Sequence, residues 1–245
     1  MSDWAPKRFW TDATVEAVPG GWAVRLDGRP VRTPLKTEVV VPTRALAEGM
    51  AAEWRAQEER IDPLSMPLTR AANATLDKVV PQRAEVAAML AEYGGSDLVS
   101  YRAAAPAGLV ARQTGTWDPV VEWMAGRGMP MALAEGVMPV AQPAATLAAM
   151  RAEVDAVDPW TLTALHEFVT LSGSLALGLA VLHGRLAPEA AWEASRLDET
   201  WQAEQWGEDE EEAARVARKR AEFLQAWTWL GLVRSGGGPD SRAAH

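Results

Sequence analysis

Residues 21–34 read GWAVRLDGRPVRTP, and this stretch decides how the chain begins to fold. Trp22, Val24 and Leu26 alternate with smaller or polar residues, the period of a half-buried strand. Asp27-Gly28 follows at once, and this pair supplies the positive backbone angles of a two-residue hairpin turn. Val31 and Thr33 start a return strand that Pro34 stops. TEVVVP, residues 37–42, predicts a third strand ended by Pro42.

The period changes at Thr43. Thr43 is suited to cap a helix, and Leu46, Met50 and Trp54 fall on one of its faces. Residues 62–69, DPLSMPLT, form a proline-punctuated loop, with Thr69 as the expected cap of a helix to about Val80. Pro81 suits the first turn of another helix, which ends near Gly94-Gly95. From there the pattern is mostly helical. TWDPVVEWMAGRGMP, residues 116–130, predicts a short helix broken by glycine and proline. GVMPVAQP is extended, and helices open near Pro143 and Pro159. FVTLSGSLALGLAVL, residues 168–182, predicts one buried helix; it is shorter than the ~20 residues of a bilayer span. APEAAWEASRLDETWQAEQWG predicts one more, and a charged helix starts near Glu208. The expected class is therefore α+β. A small β-rich N-terminal domain with a following helix occupies residues 1–62, and a larger α-helical domain occupies residues 63–234. Residues 235–245 are expected to be a disordered tail.

Composition excludes several functions. Against 24 Lys and Arg stand 33 Asp and Glu, a formal net charge of -9, which argues against binding phosphate backbones. There is no cysteine, so disulfides, thiolate nucleophiles and cysteine-metal sites are out. No Walker loop, no G-x-G-x-x-G and no G-x-S-x-G elbow occurs. The first residues, MSDWAPKRFW, lack the pattern of a secretory signal. HEFVT starts like a zinc-protease helix but has Thr170 where a second histidine ligand belongs, so His166 and His183 are expected to be structural. Of the 12 tryptophans, most of Trp22, Trp54, Trp123 and Trp160 are expected in cores, and Trp201 and Trp206 have polar neighbours. No cofactor is expected, nor any nucleic-acid, nucleotide or membrane partner.

RLDETWQAEQWGEDEEEAARVARKR, residues 196–220, is the segment with the densest polar chemistry. On a helix Ser195, Glu199, Gln202 and Trp206 share one face, while Leu197, Trp201 and Glu204 share another. Glu211 and Arg215 stand four apart, as in a helix ion pair. A carboxylate, an amide and an indole together make a polar rim with an aromatic anchor, the make-up of a protein-binding patch. The other candidate is an enzyme that uses the carboxylates of Asp198 and Glu199. Neighbours on a helix diverge by roughly 100°, however, which places this pair poorly for joint acid-base work.

Several ordered blocks resemble one family. VRLDGRPVRTP, LAEGMAAEWRAQEERIDPLSMPLTRAANATLD, DLVSYRA, QTGTWDPVVEW and LDETWQAEQWGEDEE, between KRFW and FLQAWTWLGLV, resemble the ATP synthase assembly chaperones that bind the α subunit of the catalytic head (ATP synthase assembly factor 2). Ala71-Ala72 departs from the bulkier residues usual there. The resemblance implies a β-rich domain joined to a helical one, no catalysis and no nucleotide cofactor. It further implies that the protein binds the unassembled α subunit and shields its interface until the β subunit takes over. Glu199, with Asp198, Gln202 and Trp206 in support, is the partner-binding set carried over on the C-terminal block. The expected compartment is the cytoplasm for a bacterial chain without presequence, and the mitochondrial matrix for eukaryotic relatives.

Overall fold

The computed structural model describes residues 7–136, 138–207 and 209–235. Strands gather near the N-terminus and helices dominate afterwards, as an α+β chain requires. Packing divides the chain into two compact units. The first comprises residues 1–83, 159–163 and 228–245; the second comprises residues 84–158 and 164–227. By packing, the unit that holds the strands β1 to β4 runs to Arg83 and includes two later segments.

In the first unit, β1 (Ala13–Val18) pairs antiparallel with β2 (Gly21–Leu26), and β2 pairs with both β3 (Arg29–Pro30) and β4 (Val40–Val41). Leu26 faces Arg29 across the turn; Asp27 has φ +47 and Gly28 has φ +79. Two consecutive positive angles are what a primed two-residue turn needs, so the Asp-Gly reading holds. The return and third strands are shorter than expected. Their buried residues still alternate through Val31, Thr33, Val39 and Val41, with Val31 N–H on Val24 O and Val39 N–H on Val31 O, both at 3.0 Å.

Helix α1 (Arg44–Arg55) lies on this sheet with Leu46, Ala47, Met50 and Ala51 buried. Thr43 caps it as expected, its hydroxyl accepting from Leu46 N at 3.2 Å. Thr69 does not cap a helix. Helix α2 (Pro67–Ala74) starts earlier, because Pro67 is preset for the first turn. Its free N–H groups are taken up by Glu53 of α1, which accepts from Leu68 N at 2.6 Å and from Thr69 N and Oγ1 at 2.8 Å. Burial pushes the Glu53 carboxyl above its usual range, against the pull of those donors. After α2 the backbone widens into a π-turn at Thr75–Val79.

The second unit holds α3 (Arg83–Glu92) from Ala84 on, α4 (Ala107–Gly126), α5 (Ala144–Asp155), most of α6 (Pro159–Ser172), α7 (Leu175–Leu182), α8 (Pro188–Ser195), α9 (Leu197–Trp206), and α10 (Glu210–Arg234) as far as Trp227. It also holds a two-residue parallel pair, β5 (Tyr101–Arg102) with β6 (Ala134–Glu135). Every residue of α7 is buried. Phe168, Phe223 and Trp192 meet in the same unit, with the Phe168 and Trp192 ring centroids 5.1 and 5.7 Å from that of Phe223.

Four further expectations are corrected. The apolar run 168–182 is two helices, because Gly173 takes φ +72 and Ser174 caps a new start, accepting from Leu177 N at 3.0 Å. The helix expected over residues 187–207 breaks at Arg196, whose φ of -112 and ψ of 13 end α8 before α9 starts. The short helix expected in 116–130 is part of a 20-residue helix with Pro119 inside it. Proline cannot donate to the carbonyl of Gly115, but both residues are exposed, so water can take that acceptor. Trp22, Trp54, Trp123 and Trp160 are only half-buried; among the described residues the buried indoles are Trp10, Trp117, Trp192 and Trp229. Hydrogen bonding sorts three of the four: Trp117 Nε1 donates to Ala194 O and Trp229 Nε1 to Trp160 O, each at 2.9 Å, and Trp10 Nε1 to Trp54 O at 3.3 Å. The tail expected over residues 235–245 lies, beyond Ser235, outside the described residues.

Candidate functional site

Helix α9 is fixed to α4 along one face. Leu197 is buried, and the Trp201 ring lies against Gly108, where an added Cβ would stand 2.7 Å from it. The Arg112 guanidinium stacks on Trp201 at 4.8 Å and reaches Glu204 at 2.8 Å. That hydrogen bond holds the Glu204 carboxyl below its usual range. Leu197, Trp201 and Glu204 are the second face foreseen from their spacing, and it is the packing face.

A cleft of about 1370 Å³ in the second unit is walled by α4, α8, α9 and the start of α10, and Leu197 and Glu204 of the packing face also reach it. Glu199, Gln202 and Trp206 all line it. Trp206 is 82% exposed, the most exposed of the large apolar side chains among the described residues. Ser195 does not share this face: it ends α8, is buried, and gives its hydroxyl to Trp192 O at 2.7 Å. Asp198 is not on the cleft either. It is half-buried and accepts from Gln113 Nε2 of α4 at 2.7 Å. The two adjacent carboxylates therefore have different partners, since Glu199 accepts from Arg196 Nη1 at 2.8 Å. An acid-base pair, the alternative raised by the sequence, is not assembled here.

Sequence reasoning missed the basic side of the cleft. Arg196 reaches from Glu199 on α9 to Glu212 on α10, the second contact at 3.5 Å. Glu212 also accepts from Arg215 Nε at 2.7 Å, so Arg215 pairs one position away from the expected Glu211. Glu212, Val216 and Arg220 carry the α10 wall in steps of four, and Arg185 lines the cleft as well. The signal for Arg196 was present, as Arg-x-x-Glu at i,i+3. What spacing could not show is the second contact, from Arg196 to Glu212 on another helix. Gly207, with φ +92, closes α9 between the two arms of the cleft.

No group of three or more His, Asp or Glu side chains is placed to hold a metal among the described residues. His166 pairs with its neighbour Glu167 at 3.2 Å, and Thr170 returns its hydroxyl to His166 O at 2.7 Å. His183 ends α7 and lies 3.2 Å from Glu153, which also binds Arg127. Among the described residues no helix is long and apolar enough to cross a membrane.

Comparison with known proteins agrees with the resemblance. The family model described as ATP12 chaperone protein matches residues 7–125. The crystal structure of Atp12 from Paracoccus denitrificans is 49% identical, covering 93% of this chain and 98% of that one, with a TM-score of 0.91. A protein from Agrobacterium tumefaciens, described as a candidate chaperone, is 42% identical over 95% of this chain and 87% of its own, with a TM-score of 0.86. The mitochondrial protein atp12 of Schizosaccharomyces pombe is 23% identical over 214 residues, 82% of this chain and 74% of that protein. The chain belongs to the ATP12 chaperone family.

Proposed function

We propose that the protein is an assembly chaperone for the catalytic head of ATP synthase. It binds the unassembled α subunit and shields its interface until the β subunit replaces it, without catalysis and without a nucleotide. The observation that carries this reading is the exposed Trp206 beside the exposed Glu199 and Gln202 on one open cleft, in a chain of the ATP12 chaperone family. An exposed indole framed by polar groups is the composition of a binding hot spot.

The physical need is plain. A subunit taken from an obligate ring exposes a large apolar face, and such faces aggregate. A chaperone that binds the face by mass action keeps the free subunit scarce. It must also leave, so the contact should be mixed rather than wholly apolar. The cleft fits that demand, with Arg185, Arg196 and Arg220 interleaved with Glu199, Glu212 and apolar Val216. In this reading Glu199, Gln202 and Trp206 touch the client, and Asp198 supports them by fixing α9 on α4.

The test is co-expression with α subunit, alone and with β subunit added, followed by size-exclusion chromatography. A complex with α subunit that β subunit dissolves is expected, and protection from aggregation should persist without ATP. Absence of any complex, or protection that requires ATP hydrolysis by this chain, would overturn the reading.

A further inference from the structure

The geometry points to Arg196 as a positioning residue for the client contact: it holds Glu199 with one oxygen committed and the other open, and it ties α9 to α10 while doing so. The inference rests on the α-subunit reading above and names a residue through which that site works.

Four charges form a chain across the bend between α9 and α10. Glu199 Oε1 accepts from Arg196 Nη1 at 2.8 Å. Arg196 Nη2 lies 3.5 Å from Glu212 Oε1, and Glu212 Oε2 takes Arg215 Nε at 2.7 Å. Arg196 is the one member that touches both helices. It is also the least exposed, its side chain 23% accessible against 49% for Glu199, 38% for Glu212 and 53% for Arg215. A planar guanidinium can hold two carboxylates at fixed angles, which a flexible ammonium cannot. Arg196 itself is set by the break between α8 and α9.

The consequence is preorganisation. Glu199 is a long side chain on an exposed face, and ordering such a side chain during binding costs free energy. With Oε1 pinned, Glu199 keeps Oε2 without a partner among the described residues, on a side chain that lines the cleft. Without Arg196 the carboxylate would sample several rotamers and Glu199 would be left unneutralised, while Glu212 would keep Arg215 but lose its tie to α9. Arg196 could instead act as a rival for the client's cation. Being held at both ends, it is a fixture rather than a loose competitor.

A binding cycle on the full chain separates these roles. Capture of purified α subunit is titrated for wild type, Glu199→Gln, Arg196→Gln, the double variant and Arg196→Lys, with a melting curve for each. Arg196→Gln is expected to weaken capture roughly five-fold or more, and the double variant to be no weaker than Glu199→Gln within about two-fold, because contacting residues couple. Arg196→Lys should recover part of the loss, since an ammonium can serve one of the two carboxylates. Unchanged or tighter capture by Arg196→Gln overturns the inference, as does a fully additive double variant. If Arg196→Gln does not fold, Arg196→Lys takes its place in the same cycle and must weaken capture non-additively with Glu199→Gln. Neutral Glu199→Gln in a wild type that binds would instead remove the site reading itself, and this inference with it.

Discussion

Gln113 donates from its amide nitrogen to Asp198 at 2.7 Å, while its amide oxygen accepts from Ala103 N at the same distance. The glutamine is 2% exposed, so the α9 helix is tied by one carboxylate to a buried amide of α4. Asp198→Ala strands that amide. A buried polar group left without its partner costs about 1–3 kcal/mol. Asp198→Ala should therefore lower the melting temperature clearly, yet still capture α subunit when folded and at saturating concentration. A melting curve equal to wild type would show that the bond contributes nothing.

Glu199 one position on should behave in the opposite way. Its side chain is half exposed, and its sole protein partner among the described residues is Arg196. Half-exposed ion pairs contribute about 0–1 kcal/mol, so Glu199→Lys should melt within about 1 kcal/mol of wild type. Binding is another matter. Reversal removes an attractive contact and faces Arg196 with a like charge, and losing a charge desolvated at an interface costs about 2–5 kcal/mol. Capture of α subunit should fall by more than ten-fold. Normal capture by folded Glu199→Lys would place the client elsewhere.

Residue periodicity revealed the class of fold and the two faces of α9, but not where helices break. Asp27-Gly28 and Thr43 were legible because each acts within a few residues: the turn needs its own angles, and the cap bonds Leu46 N–H. The breaks at Gly173 and Arg196 were not. Both interrupt runs whose apolar spacing continues across them, and what stabilises the new start after Gly173 is distant in sequence, Asp97 bonding Ser174 and Ala176. The start of α2 was missed for the same reason, since its cap is Glu53 from another helix. In the candidate site, the aromatic and acidic members announced themselves by type. The arginines did not, because a basic residue in an acidic run reads as surface pairing until its partners are placed.

The turn offers a local test. Gly28 has φ +79, and nothing lies within 4 Å of where a Cβ would sit. A change there is felt through the backbone alone. Gly28→Val puts a β-branched residue in the left-handed region and should cost more than about 1 kcal/mol. Gly28→Asn, which tolerates that region, should cost much less. Equal melting of the two variants would refute the backbone explanation.

Gly108 tests packing instead. A methyl group there would stand 2.7 Å from the Trp201 ring. The ring cannot simply shift, because the Arg112 guanidinium stacks on it. Gly108→Ala should cost about 1–3 kcal/mol through overpacking, although alanine is the better helix former. Trp201→Leu in the same chain should restore part of the loss by making room. A stabilised Gly108→Ala protein would mean that α9 rides loosely on α4.

Asp97 gives the second unit a pH signature. The carboxylate is fully buried and accepts from Ser174 Oγ at 2.6 Å, Ala176 N at 2.9 Å and Val99 N at 3.2 Å, joining the segment before β5 to the start of α7. Burial pushes its pKa up to about 6 from the ordinary 3.8, against those donors. An acid whose folded pKa is raised holds its proton more tightly when folded. Folding is then favoured most below pH 4, and that share is lost as pH rises from about 4 to about 6, where it levels off. The loss is on the order of 1–3 kcal/mol. Asp97→Asn cannot titrate, and its amide nitrogen cannot accept from a backbone N–H, so it should be less stable than wild type at every pH. The wild-type advantage over Asp97→Asn should shrink between pH 4 and 6 and stay flat above 7. Urea unfolding at four pH values measures it, and an advantage that grew with pH would show that the hydrogen-bond donors, not burial, govern this carboxyl.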